Sequence, residues 1–158
     1  SIAGRNGLIE VLRRLARNYK VVVVGQVSDL ESSLLKHENI TILGRVERKD
    51  LPEIYRASRF GLNFTPDIYP YNIQTSTKTL EYLASGLGVI SNKYKWSEHF
   101  FSKIQYTPVW LCGTNLSLEN ISFFETIPSI DSYSWTNILH KCKLESFLND
   151  SLCFSCGV

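Results

Sequence analysis

The sequence predicts a doubly wound α/β domain: a parallel sheet with helices on both faces, closed by a C-terminal helix. Three observations predict it. Helix-period and strand-period segments alternate over the first 91 residues. The strand candidates are apolar runs, as strands covered on both faces are. The links between them are short, and a β-α-β order with short links makes the strands parallel.

Each element has its own signal. Leu8, Leu12 and Leu15, with Ile9, Val11 and Ala16, form a helical stripe, and Arg13, Arg14 and Arg17 fall mostly outside it. Val21 to Gly25 is a continuous β-branched run, read as a strand buried on both faces. Ser28 and Glu31 have capping-box spacing for a helix carrying Leu30, Leu34 and Leu35. Ile40 to Gly44 is the second strand. Asp50 and Glu53 repeat a capping pattern, and Pro52 is tolerated in a first helical turn. That helix is short and ends near Ser58. Phe60 to Phe64 is the third strand. After an eleven-residue loop, a helix from about Ser76 to Ser85, with Leu80, Leu83, Ala84 and Leu87 sharing its core face, is stopped by Gly86, and Gly88 to Ser91 is the fourth strand. Beyond it, Val109 to Leu111 reads as one more strand. Trp135, Ile138, Leu139 and Cys142 fit a helix running to about Asn149. The organisation expected is one Rossmann-like domain over 1–150 and a tail over 151–158.

Composition bounds the function. The 158 residues are 44% apolar and 20% charged, which argues against disorder and coiled coil. No apolar run approaches a membrane span, and SIAGRNG is no signal peptide. The missing initiator Met sets the expectation that the chain begins inside a longer protein. A net charge of +2 is too small for a nucleic-acid footprint. Residues 1–95 hold 14 Lys and Arg against 9 Asp and Glu, so the basic half could receive an anion. Cys112 and Cys142 stand alone, and Cys153 and Cys156 form a C-x-x-C near the end with no further ligand pair for zinc. A reduced, cytoplasmic chain is expected, with no metal.

Ligands of doubly wound sheets bind at the carboxyl ends of the strands. That places the candidate site at Gly25, at Gly44 to Glu47, and in the loop from Thr65 to Thr77. Thr77 and Lys78 open a helix whose cap residues are neutral. A lysine there opposes the helix dipole but suits a bound phosphate. Glu81, one turn on, lies too far along to cap the helix, and its carboxylate can accept two hydrogen bonds from a vicinal diol such as ribose. The competing reading is a surface Lys78–Glu81 ion pair. The loop offers the hydrogen-bonding groups of Tyr69, Tyr71, Asn72, Gln74, Thr75 and Ser76. His37, His99 and His140 are scattered, and none neighbours a Ser or Cys nucleophile. The chain reads as a phosphate-and-ribose binding half without its own catalytic base.

The order VVVVG, NITILGRVERKDLPEIYRAS, FGLNFTP and TSTKTLEYLASGLGVIS resembles the C-terminal donor domain of GT-B glycosyltransferases. It is most similar to glycosyltransferase family 4 (group 1), in its bacterial polysaccharide branch. The similarity covers about residues 4–92, with a weaker echo at Ser132 to Leu139. The resemblance implies that Glu81 is the second Glu of the family's E-x7-E motif and holds the donor ribose. Thr77 and Lys78 would lie by ribose and diphosphate, Val46 would meet the nucleobase, and Arg5 would contact the diphosphate. Tyr71, Asn72 and Thr75 would stand on the sugar side. The sequence departs from the pattern at Ile73, where the family's first Glu stands, at Glu10 in place of a lysine, and at Gly88 in place of a proline.

The resemblance thus implies one half of a hexosyltransferase of the retaining type, inactive alone. The co-substrate would be a nucleoside-diphosphate sugar, with UDP favoured, and neither cofactor nor metal is expected. The acceptor, a saccharide or lipid-linked saccharide, would be held by an N-terminal domain. The location implied is the cytoplasm, with room for peripheral contact at the inner membrane face. Two rivals stand beside this reading. A sugar-nucleotide epimerase would need acid–base groups, of which the loop offers only Asp67. A scaffold module with a decayed donor site would fit Ile73 and Gly88.

Overall fold

The computed structural model describes residues 7–111 and 127–141. Helices and strands alternate in the expected order: α1 (Leu8–Ala16), β1 (Val21–Val24), α2 (Asp29–Leu34), β2 (Ile40–Gly44), α3 (Leu51–Arg56), β3 (Phe60–Asn63), α4 (Thr77–Ala84) and β4 (Gly88–Ser91). Then come α5 (Lys95–Lys103), β5 (Val109–Trp110) and α6 (Trp135–Lys141). All pairings are parallel, and the fold is Rossmann-like α/β. Helix α5 was not expected from the sequence. Of the expected last helix, residues up to 141 are seen; the continuation to Asn149, the tail and all four cysteines lie outside the described residues.

The strands form two sheets, β1-β2 and β3-β4-β5. Helix α1 spans both. Its Leu8 and Leu12 join Val23 and Leu35 in one cluster, against which Leu62 and Phe64 pack. Its Leu15 joins Ile90, against which Val21, Phe60, Leu62 and Val109 pack. A third cluster holds α4 and α5 to the other side of β4 through Leu83, Val89, Phe100 and Phe101. Burying each of those two Phe side chains contributes about 1.5–3 kcal/mol. Around them Trp96 stacks on Phe100 (ring centroids 4.6 Å apart, planes at 11°), and Phe101 meets Trp110 edge-on at 5.7 Å. Gly61 lets α4 approach β3 closely, because a Cβ there would overlap the Tyr82 ring.

Four sequence expectations are corrected. The first strand is not buried on both faces: Val23 is 7% exposed under α1, but Val22 and Val24 are 47% and 37% exposed. In α2 only Leu35, at the C-cap, reaches the core, while Leu30 and Leu34 are exposed, since six residues are too few to turn a whole stripe inward. Asp50 does not cap α3 with its side chain. Its backbone is already helical, so its carbonyl rather than its carboxylate accepts from the Glu53 N–H at 3.2 Å. In α4 the expected core face included Ala84, which is exposed; Thr79 and Leu83 are the buried pair, with Leu87 beyond the helix end. The Ser28–Glu31 capping box forms as expected: Ser28 Oγ accepts from the Glu31 N–H, and Glu31 Oε2 from the Ser28 N–H at 2.8 Å.

Candidate functional site

The site is built at the carboxyl ends of β3 and β4. Asn63, the last residue of β3, is 3% exposed. Its Nδ2 donates to Ser91 Oγ and to Tyr94 Oη, both at 3.0 Å, and its Oδ1 accepts from Ser76 Oγ at 3.0 Å. Ser76 is also the N-cap of α4 and accepts from the Thr79 N–H. One buried amide therefore ties two strand ends to the start of the helix. A buried amide must find partners for both of its ends, so this arrangement fixes the helix in place. Just beyond, Asn92 clamps the loop: its Oδ1 accepts from the Thr65 N–H at 2.9 Å, and its Nδ2 donates to the Thr65 carbonyl at 2.7 Å.

Thr77 and Lys78 stand exposed in the first turn of α4, with a neutral serine as cap. Glu81 follows one turn later and is half-buried. Its Oε2 accepts from Tyr55 Oη at 3.2 Å, and its Oε1 lies 3.5 Å from Arg48 Nη2. Tyr55 is held by an edge-on contact with Tyr82, centroids 5.5 Å apart. Burial first, and then the adjacent Glu81 carboxylate, pushes the Tyr55 phenol above its ordinary range. Arg48, Leu51, Pro52, Tyr55, Glu81, Ala84 and Ser85 line a groove of about 220 Å³ between α3 and α4.

The expected site residues fall into three groups. Thr77, Lys78 and Glu81 share α4. Val46, half-buried, stands two residues before Arg48, so the β2–α3 connection that carries it meets Glu81. Gly25 donates its N–H to the Gly44 carbonyl at 2.7 Å, and both residues have positive φ, 129° and 68°. Nothing lies within 4 Å of where either Cβ would be, so the two turns present open backbone at the strand ends. The loop residues Tyr71 and Thr75 are exposed, and Asn72 donates to Asp67 Oδ1 at 3.1 Å. Tyr71, Asn72 and Thr75 form no hydrogen bond with Thr77 or Glu81. Ile73 is 47% exposed in a short 3-10 turn. Arg5 lies outside the described residues. Glu10 is exposed in the first turn of α1. His37 accepts from the Asn39 N–H at 3.1 Å as part of a turn, and His99 is exposed on α5.

Sequence reasoning missed Asn63, Tyr55 and Arg48. Asn63 left one signal, a polar residue closing an apolar strand. Tyr55 sits at i+4 from Leu51, on the face that lines the groove.

In a parallel α/β domain of this kind the ligand crevice lies at the carboxyl ends of the strands, where Asn63, the start of α4 and the groove beside Glu81 stand. Residues 5–109 match the family described as glycosyl transferase-like, and the chain belongs to that family. A glycosyltransferase role follows from that membership. No protein of curated function and no solved structure matches the chain. Among the described residues no helix is long and apolar enough to cross a membrane.

Proposed function

We propose that this chain is the donor-binding half of a GT-B glycosyltransferase resembling family 4. It binds a nucleoside-diphosphate sugar, UDP-linked, and serves transfer of a hexose to a growing saccharide of a bacterial surface polysaccharide. The observation that carries the reading is the fixed start of α4, with Lys78 in its first turn and Glu81 one turn on. Helix-end amides and Lys78 stabilise the charge that builds on the leaving diphosphate, with no metal. Glu81 accepts from the ribose hydroxyls, and Tyr55 and Arg48 hold its carboxylate in place. Val46 packs on the base, Gly25 leaves room for the ligand, and Arg5 approaches the diphosphate. Tyr71, Asn72 and Thr75 face the sugar. The acceptor, a saccharide or lipid-linked saccharide, is held by a further domain, in the cytoplasm or at the inner membrane face.

Calorimetric titration with UDP and 2′,3′-dideoxy-UDP tests this. Losing a charged acceptor costs about 1.5–3 kcal/mol, so Glu81→Gln should weaken UDP by roughly 10- to 150-fold. It should weaken the dideoxy ligand far less, since that ligand has no diol. The melting temperature should hardly move, because the Arg48 partner is 90% exposed and such pairs contribute about 0–1 kcal/mol. Equal losses for both ligands would remove the ribose assignment. No binding of UDP by the unsubstituted chain at millimolar concentration would favour a scaffold with a decayed site.

A further inference from the structure

The hydrogen bonds around Asn63 have a direction. Its amide is committed at both ends: Nδ2 donates to Ser91 Oγ and Tyr94 Oη, and Oδ1 accepts from Ser76 Oγ, each at 3.0 Å. Ser91 passes its own proton to the Asn92 carbonyl at 3.0 Å. The proton of Ser76 goes to Asn63, so its oxygen is left to accept, and it takes the Thr79 N–H at 3.3 Å. An amide donates at one end and accepts at the other. Asn63 therefore sets which way the hydroxyls on either side of it turn. Asn63, Ser91 and Tyr94 are buried, so leucine at position 63 would leave three hydroxyls without this partner.

Capping alone does not call for such a connection. A helix start needs one acceptor for an early N–H. Helix α2 shows the local solution. Its cap Ser28 accepts from the Glu31 N–H at 3.3 Å and gives its proton to the Glu31 carboxylate at 2.8 Å, so that the exchange stays within one exposed turn. Helix α4 has Thr79 in place of that glutamate, and its cap hands the proton to a buried strand residue instead. Ser76 is also where the buried network reaches the surface, since Thr77 and Lys78 after it are exposed. The loop that ends at Ser76 begins at Thr65, which Asn92 clamps through both N–H and carbonyl. The first turn of α4 and the start of that loop are thus fastened to one buried group.

We infer that Asn63 is a positioning residue for the ligand at the strand ends and acts through Ser76. It holds the first turn of α4 where Thr77 and Lys78 meet the anionic part of that ligand. Asn63 is buried and touches no ligand itself. The Ser76 hydroxyl is engaged on both sides, by Asn63 and by the Thr79 N–H, so it serves the helix, and the residues after it meet the ligand. This role rests on the reading that a diphosphate binds at the start of α4, and it supplies what keeps that start still as charge arrives. Donors held in place in advance need no reorganisation when charge builds. A displacement of about 1 Å in such a group costs roughly 100-fold in rate.

Calorimetric titration with UDP and with uridine separates positioning from mere support of the fold. Ser76→Gly removes the hydroxyl but keeps a residue that helix starts accept. It should weaken UDP about five- to tenfold and uridine less than about twofold. Ser76→Thr keeps the hydroxyl and should hold UDP within about twofold of the unsubstituted chain. Asn63→Leu should repeat the Ser76→Gly pattern. Because Asn63 acts through Ser76, the two changes together should weaken UDP relative to uridine no further than either alone. Equal losses for UDP and uridine would make Asn63 a support of the fold only and would overturn its positioning role, and so would losses that add. A UDP affinity unchanged in Ser76→Gly would overturn it as well, and that result decides alone if Asn63→Leu does not fold. An unsubstituted chain that binds UDP no better than uridine would overturn the diphosphate reading and the role of Asn63 with it, whereas a preference for UDP that survives in every variant would overturn the role of Asn63 alone.

Discussion

Lys78 and Tyr55 are the residues whose chemistry is most open to test. If Lys78 meets diphosphate, Lys78→Ala should weaken UDP far more than uridine, and the loss should shrink as salt rises. Equal losses for the two ligands would count against a phosphate role. Tyr55 gives a pH signature. Its folded pKa is raised, chiefly by burial, and Tyr106 is raised in the same way. Both side chains thus hold their protons more tightly in the folded chain than in the unfolded one. Their contribution is fully present below about pH 10, the unfolded value, and is lost as pH rises beyond it. Stability measured by urea midpoint should fall above that pH, and Tyr55→Phe with Tyr106→Phe should flatten the fall. At this scale the sequence was only partly legible. Lys78 and Glu81 stood out because their charge sits at a helix start. Asn63, Tyr55 and Arg48 stayed hidden because their partners, Ser76, Ser91, Tyr94 and Glu81, are contacts across the chain that no local spacing encodes.

Among the elements, α4 and β3 lie in close contact. Gly61 is buried beneath the Tyr82 ring, and Tyr82 in turn positions Tyr55. Gly61→Ala should therefore cost about 1–3 kcal/mol by overpacking, seen as a lowered melting temperature. It should also weaken UDP, because the helix that carries Lys78 and Glu81 must move. An unchanged melting temperature would show that Tyr82 swings aside freely. Element order and type were legible from period and caps: the Ser28–Glu31 box, the β-branched run of β1, and the Gly86 stop after α4. Two of the errors fell on short helices. In α2 and α3, six residues each, tertiary placement decides which face turns inward, so Leu30, Leu34 and Asp50 misled. Helix α5 was overlooked because its Trp96, Phe100 and Phe101 lie among polar residues and its cap is Tyr94, a residue that does not announce a helix start.

For the molecule as a whole, parallel connectivity could be read from the alternation of elements, but the division of the sheet could not. Whether two apolar strands pair directly depends on where their helices set them in space, and a linear pattern does not record that. The aromatic residues add an optical asymmetry. All three tryptophans lie at positions 96, 110 and 135, after β4. Trp96 is stacked on Phe100, and Trp110 has Phe101 at its edge and the Lys93 ammonium 5.6 Å from its ring centroid. Indole emission from Trp96 and Trp110 therefore reports on the β3-β4-β5 half, and β1, β2 and α2 have no indole. If the two sheets melt separately, fluorescence should trace one transition while far-ultraviolet dichroism traces two. If α1 couples them firmly, the two curves should coincide. The stacked pair Trp96–Phe100 is thus a spectroscopic label built into one side of the domain, and the other side can come apart without dimming it.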